Sequence, residues 1–253
     1  MKLRAENLAV SFHGPNGDLL PALGPISFTV ADDQFVCLLG PSGCGKSTLI
    51  RVLAGLLQPS TGAAFCDEEV IKRPLTGSAI VFQDTNLMPW RTVLDNIALP
   101  LEIAGMSRSE RYSTVRKLLP QLNLEDFERA YPAELSGGMA QRVALGRVIV
   151  QAPQVWLLDE PFAALDALTR ETLSLELLRL RRRARQTIIL VTHDINEAVL
   201  LADRVIVMSR RPGRLVADVE IDLPRPRSAE MIYQRDFLQL TKKIRDLIEE
   251  QRA

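Results

Sequence analysis

The segment Gly40-Pro41-Ser42-Gly43-Cys44-Gly45-Lys46-Ser47-Thr48 follows an apolar run and fits the pattern G-x-x-x-x-G-K-[ST]. Its glycines allow backbone N–H groups to turn inward around a phosphate. Lys46 reaches the outer phosphates, Ser47 offers its hydroxyl to Mg²⁺, and the start of the following helix adds its positive end. A second run, Val155-Trp156-Leu157-Leu158-Asp159-Glu160, ends in two carboxylates. Alone, such acids commonly cap the next helix. Beside a phosphate loop, Asp159 suits Mg²⁺, usually through water, and Glu160 is placed to polarise an attacking water.

Positioning these groups requires an α/β fold. Short apolar runs alternate with helical patterns, as in a mostly parallel sheet covered by helices. The expected strands are Leu3–Val10, Ile26–Val30, Phe35–Leu39, Ala79–Phe82, Val155–Leu158, Thr187–Val191 and Arg204–Met208. Phe35–Leu39, Val155–Leu158, Thr187–Val191 and Val205–Met208 lack polar alternation and read as central strands buried on both faces. The phosphate-loop helix is expected over Ser47–Leu57. From Asp84 to Val150 helical segments dominate (Thr92–Ala104, Ser107–Gln121, Gly138–Val150) and read as an insertion into the core. A last amphipathic helix is expected from about Ser228 to Gln251, with Ile232, Phe237, Leu240, Ile244, Leu247 and Ile248 at helical spacing.

Composition narrows the setting. The 253 residues carry 31 basic and 31 acidic side chains, which argues against a general polyanion binder. The longest charge-free stretch, Val52–Cys66, is broken by Gln58-Pro59-Ser60-Thr61-Gly62 and falls short of the ~20 apolar residues that cross a bilayer. No secretory signal is visible in Met1-Lys2-Leu3-Arg4-Ala5-Glu6. Cys37, Cys44 and Cys66 form no paired spacing, so neither disulfides nor zinc are suggested, and a reducing cytosol is expected.

A third segment, Leu135-Ser136-Gly137-Gly138-Met139-Ala140-Gln141-Arg142, taken alone is a turn that starts a helix. With the phosphate loop and the acidic strand end, in this order and spacing, it resembles the signature of ATP-binding cassette ATPases. The resemblance covers about Leu3 to Pro224. It implies a P-loop NTPase core, a RecA-like mostly parallel sheet with an antiparallel N-terminal β part, and an inserted all-helical subdomain. The core is expected over residues 1–84 and 151–225, the insertion over 85–150, and the C-terminal helix over 226–253.

The same resemblance implies roles for single residues. Gln83 matches the Q-loop, touching the metal and its water and coupling to a membrane partner. Ala164-Leu165-Asp166 matches the D-loop at a dimer interface, and His193 the switch histidine near the γ-phosphate. Phe12 is the aromatic expected to stack on adenine. Taken singly, Gln83 is a possible strand cap, His193 a core or N-cap histidine, Phe12 a core residue, and His13 a surface residue. The implied catalytic set is Glu160, His193, Gln83 and Lys46. ATP would contact Phe12, Gly40 to Thr48, Ser136, Gly137, Gly138 and Asp166, and Mg²⁺ would meet Ser47, Gln83 and Asp159. Met139 stands where the usual signature has Gln, which puts a side-chain contact there in doubt while leaving the hydroxyl and N–H groups before it.

The signature is expected to face away from its own phosphate loop. Two copies arranged head to tail would each complete the other's site, with ATP as glue and Glu160 as general base. The run Leu87-Met88-Pro89-Trp90-Arg91-Thr92-Val93-Leu94-Asp95-Asn96 and the Ser-Gly-Gly-Met form look like the nitrate/sulfonate/taurine class of importer ATPases. That class implies two permease subunits docking near Gln83–Leu101, an extracytoplasmic substrate-binding protein, and a peripheral place on the cytoplasmic face of the membrane. The alternatives are an exporter-type ATPase, a P-loop kinase, which would leave the signature and D-loop without a role, or a soluble ATPase acting on nucleic acid or ribosomes. The last has only the basic run Arg179-Leu180-Arg181-Arg182-Arg183-Ala184-Arg185 in its favour, and nucleic acid is not an expected partner.

Overall fold

The two N-terminal apolar segments pair as a long antiparallel hairpin, β1 (Leu3–His13) and β2 (Leu19–Val30). Both run further than expected, because pairing continues through Phe12↔Leu20 and His13↔Leu19, where exposed side chains leave no burial pattern in the sequence. The buried run β3 (Phe35–Leu39) leads into the phosphate loop, and α1 (Lys46–Leu53) leads out of it. α1 stops short of the expected Leu57. Gly55 turns the chain at φ +72°, where a Cβ would lie 2.0 Å from the Arg73 carbonyl oxygen. β4 (Thr61–Cys66) and β5 (Glu69–Val70) complete a four-stranded antiparallel sheet in the order β2-β1-β4-β5. The residues of β4, Thr-Gly-Ala-Ala-Phe-Cys, carry little strand propensity. Pairing with β1, from Leu3↔Cys66 to Ala9↔Thr61, decides their conformation.

The chain continues through β6 (Ser78–Val81), α2 (Val93–Ile103), α3 (Arg108–Leu118), α4 (Gly137–Val150), β7 (Val155–Asp159), α5 (Ala167–Arg181), β8 (Thr187–Val191), α6 (Ile195–Leu201), β9 (Arg204–Met208), β10 (Leu215–Glu220) and α7 (Arg235–Glu249). In this computed structural model the residues described are 1–253 without Asn16, Ala164, residues 182–185 and 251–253, and without the side chain of Leu180. The second sheet has the order β10-β9-β3-β8-β7-β6, parallel except for β10 at one edge. α5, α6 and β10 have no counterpart among the expected elements. α6 spans seven residues, and β10 is a half-buried edge strand held by β9.

Side-chain alternation along the central strands sorts the core. Cys37, Trp156, Leu158, Ile188 and Leu190 face the layer of α4, α5, α6 and α7. Val36, Leu38, Val155, Leu157 and Ile189 face α1 and the antiparallel sheet. The same parity directs Asp159 toward α1. The inserted helices hold a third core built from Val93, Ile97, Val115, Leu118, Leu122 and Val143. At the C-terminus one helix was expected; the chain instead makes a 3₁₀ turn (Ala229–Tyr233), an extended residue at Gln234, and then α7. Phe237 and Ile244 of α7 are fully covered, while the expected end at Gln251 lies outside the described residues.

Candidate functional site

The phosphate loop is fastened from two sides. Gly45, the N-cap of α1, has φ +102°, and a Cβ there would lie 2.5 Å from Leu23 Cδ2 and 2.8 Å from the Ala22 carbonyl oxygen. β2 is therefore pressed directly against the loop. The Lys46 ammonium, almost wholly buried, donates to the carbonyls of Gly40 at 2.8 Å and Pro41 at 3.0 Å. Ser42 and Gly43 are exposed at the mouth and Cys44 is buried beneath it. Phe12 is 41 % exposed, which excludes the core alternative. It pairs with Leu20, which lies three residues, about 10 Å of strand, before the Leu23 that touches Gly45.

The acidic strand end meets α1 as its parity requires. The Ser47 hydroxyl donates to Asp159 Oδ1 at 3.0 Å. Burial raises the Asp159 carboxyl above its ordinary range, and the Ser47 hydrogen bond offsets part of that rise. Glu160 takes φ +47°, an uncommon conformation for a residue with a side chain, and its N–H donates to the Val191 carbonyl at 3.0 Å. This turn aims its carboxylate at His193, with 3.1 Å between Oε2 and the imidazole Nδ1. His193 is exposed at the end of β8, so it is not a core histidine.

The signature segment caps α4. Ser136 is the N-cap and its hydroxyl accepts from the Met139 N–H at 3.3 Å. A Cβ on Gly137 would meet nothing nearer than Leu165 Cδ2 at 3.8 Å, whereas one on Gly138 would lie 2.9 Å from Thr169. Met139 packs against the core of the inserted helices, an apolar role that Gln would fill poorly. Asp166 caps α5, accepting from the Thr169 N–H and hydroxyl at 3.0 and 2.7 Å, and these bonds lower its pKa. Its neighbour Ala164 lies outside the described residues.

Gln83 is exposed just beyond β6. The loop after it is held by the buried Asn96, whose side-chain amide donates to the carbonyls of Met88, Arg91 and Thr92 at 3.2, 2.8 and 3.0 Å. Arg147 of α4 donates to the Asn86 carbonyl at 2.8 Å and to the Asn96 carbonyl at 3.1 Å. Trp90 is left 71 % exposed on this braced loop. Arg147 gave no sequence signal; its role exists only because α4 folds back over α2.

Behind His193 lies a polar cluster that sequence reasoning missed. The Thr192 hydroxyl donates to Glu197, and Arg170 donates to Asp194 at 2.9 Å. Burial pushes the Glu197 carboxyl up to about 7, with the Thr192 hydrogen bond opposing it. The available signal was an acid four residues after His193, entering the apolar run Ala198-Val199-Leu200-Leu201. A carboxyl raised in the fold holds its proton longer when folded, so its contribution to stability is fullest below about 4.5 and is lost as pH rises toward about 7. Across that window wild-type stability should fall by about 3 kcal/mol on account of this group. Glu197→Gln should flatten the slope in urea unfolding at a series of pH values. An unchanged slope would remove Glu197 as its source.

A family model described as "ABC transporter" matches residues 23–163. An uncharacterized ABC transporter ATP-binding protein of Methanocaldococcus jannaschii is 45 % identical over 251 residues, 99 % of this chain and 92 % of that one. The taurine import ATP-binding protein of Rhizobium johnstonii is 41 % identical over 223 residues, 88 % of this chain and 85 % of that one. The nitrate import ATP-binding protein NrtD of Synechococcus elongatus is 40 % identical over 235 residues, 92 % and 85 % of the two chains. Among solved structures, a dimeric ATP-binding cassette in a post-hydrolysis state with ADP and Pi superposes with a TM-score of 0.78 at 29 % identity, covering 88 % of this chain and 100 % of that one. With its P-loop core and inserted helices, the chain belongs to the ABC transporter ATP-binding family and is an ATP-hydrolysing cassette.

Proposed function

We propose that this cassette is the ATPase subunit of an importer of the nitrate/sulfonate/taurine class, working as a head-to-tail pair of copies against two permease subunits. The observation that carries the ATPase mechanism is that the ends of the neighbouring parallel strands β7 and β8 bring Asp159 to Ser47 of α1 and Glu160 to His193. The importer class draws support from taurine and nitrate import relatives at 41 % and 40 % identity. The paired arrangement draws support from the dimeric form of the similar cassette.

In this reading the loop from Gly40 to Thr48 cradles the phosphates, and Lys46 turns from the loop carbonyls to the outer phosphates. Phe12 stacks on the adenine. Glu160 takes the proton of the attacking water, with His193 beside the γ-phosphate and Gln83 near the water. Ser136, Gly137 and Gly138 at the positive end of α4 meet the γ-phosphate of the other copy's ATP, with Asp166 at the interface.

The residues present fit Mg²⁺. Ser47 and Asp159 supply converging oxygens, the donor type a hard cation prefers, and a cation would relieve the burial that raises the Asp159 carboxyl. Bound there, with Gln83 beyond the neighbouring strand β6 as a further oxygen donor, Mg²⁺ would neutralise phosphate charge.

We divide the chain into a nucleotide-binding core (1–84 and 151–225), an inserted helical subdomain (85–150) and a C-terminal helical segment (226–253). The permease face lies along Gln83–Leu101. Substrate specificity belongs to an extracytoplasmic binding protein, and the cassette works peripherally at the cytoplasmic face of the membrane. Among the described residues no helix is long and apolar enough to cross a bilayer. Of the basic run that favoured nucleic acid, Arg181 is engaged inside the fold, donating to Asp203 and to the Asp33 carbonyl at 2.7 Å each. Residues 182–185 lie outside the described residues.

Trp90→Ala tests the importer reading. Co-purification with the permease and its stimulation of ATPase should both be lost, while the isolated cassette hydrolyses ATP at the wild-type rate. Retained stimulation would contradict the docking face, and failure of the wild-type chain to bind any permease would contradict the transport role.

A further inference from the structure

Glu160 and His193 sit on two separate turns, one after β7 and one after β8, and their 3.1 Å contact depends on how those turns are held together. One side chain spans both. Arg170, on the first turns of α5, donates through Nη2 to the Leu165 carbonyl at 2.9 Å and through Nη1 to Asp194 Oδ2 at 2.9 Å. Leu165 closes the turn that begins at Glu160, with N–H bonds from Ala163 to the Glu160 carbonyl at 3.2 Å and from Leu165 to the Phe162 carbonyl at 3.2 Å. Asp194 follows His193 directly. Its other oxygen, Oδ1, accepts from the N–H groups of Asn196 and Glu197 at 2.9 and 3.1 Å, and its own N–H donates to the Thr192 hydroxyl at 3.0 Å.

These hydrogen bonds, at 2.9–3.2 Å, connect the turn of Glu160 through Leu165, Arg170 and Asp194 to His193. The guanidinium suits this task because its planar fork can hold two acceptors at a fixed angle, which a lysine ammonium on a flexible stem does not. Arg170 and Asp194 side chains are 23 % and 29 % exposed, so the pair is partly sheltered and its loss need not unfold the domain. Asp194 would keep its N-capping role without the arginine, through Oδ1.

We infer that Arg170 is a positioning residue for hydrolysis, a clasp that joins the turn carrying Glu160 to the turn carrying His193 and so fixes the geometry of the pair. It touches neither nucleotide nor water in this account. The inference rests on the assignment of Glu160 and His193 to the attack on the γ-phosphate. A clasp of this kind acts on the chemical step: the bonds of Arg170 go to Leu165 and Asp194 and not to the phosphate loop, which follows β3, the strand beside β8.

The test compares Arg170→Met, Arg170→Lys, Asp194→Asn and the double variant Arg170→Met/Asp194→Asn in the full chain with Mg-ATP. Arg170→Met should lower kcat by about tenfold to a hundredfold, the scale of a small misplacement at a reacting centre, while KM for ATP stays within about twofold. Arg170→Lys should recover only part of the loss. The double variant should be no worse than the poorer single variant, because both cut one link. A wild-type kcat in Arg170→Met, losses that simply multiply in the double variant, or a parallel rise in KM with a collapse of thermal stability would each overturn the clasp. Glu160→Gln measured alongside separates the two ideas. If it hydrolyses ATP normally, the assignment beneath the clasp is wrong; if it is inactive and Arg170→Met is not, only the clasp fails.

Discussion

Glu160→Gln should lower steady-state ATP turnover by about a thousandfold, the range over which a positioned general base acts, while ATP remains bound. The amide keeps the size and the hydrogen-bonding reach of the carboxylate but cannot take a proton from water. Its partner His193, 3.1 Å away, and the Ser47–Asp159 pair on α1 and β7 should stay in place, so nucleotide binding survives. If ATP is retained between two copies, as proposed, the variant should elute as a dimer with Mg-ATP and as a monomer with ADP. Turnover within about threefold of wild type would exclude Glu160 as the base.

Gly45→Ala should have a comparably large effect on binding. At φ +102° an alanine is strained in any surroundings, and here its Cβ would overlap the Ala22 carbonyl oxygen at 2.8 Å as well as the Leu23 side chain at 2.5 Å. The side chain can swing away but the carbonyl belongs to β2, a strand paired along its length with β1. The loop must therefore move, carrying with it the N–H groups and the Lys46 stem that would face phosphate in the proposed site. Affinity for a fluorescent ATP analogue should fall about a hundredfold, close to 2.7 kcal/mol, with circular dichroism showing a folded protein. An unchanged affinity would mean that the loop's shape does not depend on Gly45.

The sequence carried the chemistry further than the architecture around it. Glycine spacing, a lysine and an acid-tipped apolar strand state their purpose locally, since each motif is short and its residue types are dictated by phosphate and water. The structure brings Ser47 to Asp159 and Glu160 to His193 because uninterrupted apolar runs become central parallel strands whose ends lie side by side. What was not legible depends on distant partners. β4 exists because β1 offers it hydrogen bonds, and β10 because β9 does. Arg170, Glu197 and Arg147 look like ordinary helix residues, and their roles appear only when other turns arrive beside them. The exposure of Phe12 also follows from tertiary structure, because the hairpin extends past the point where its residues are covered.

The central claim is that each ATP lies between the phosphate loop of one copy and the signature of another. Two crippled chains test it directly. Lys46→Ala disables the phosphate loop and leaves the signature intact. Gly137→Asp places a negative charge at the start of α4, at a position where a Cβ meets nothing closer than 3.8 Å, so the fold should tolerate it and only the meeting with phosphate should suffer. Each variant alone should be nearly inactive, since both sites of its dimer are damaged. Mixed, they form some dimers with one site damaged twice and the other built from an intact loop and an intact signature, so ATPase activity should return on mixing. If the mixture stays as inactive as its components while forming dimers, each chain completes its own site and the head-to-tail account is wrong.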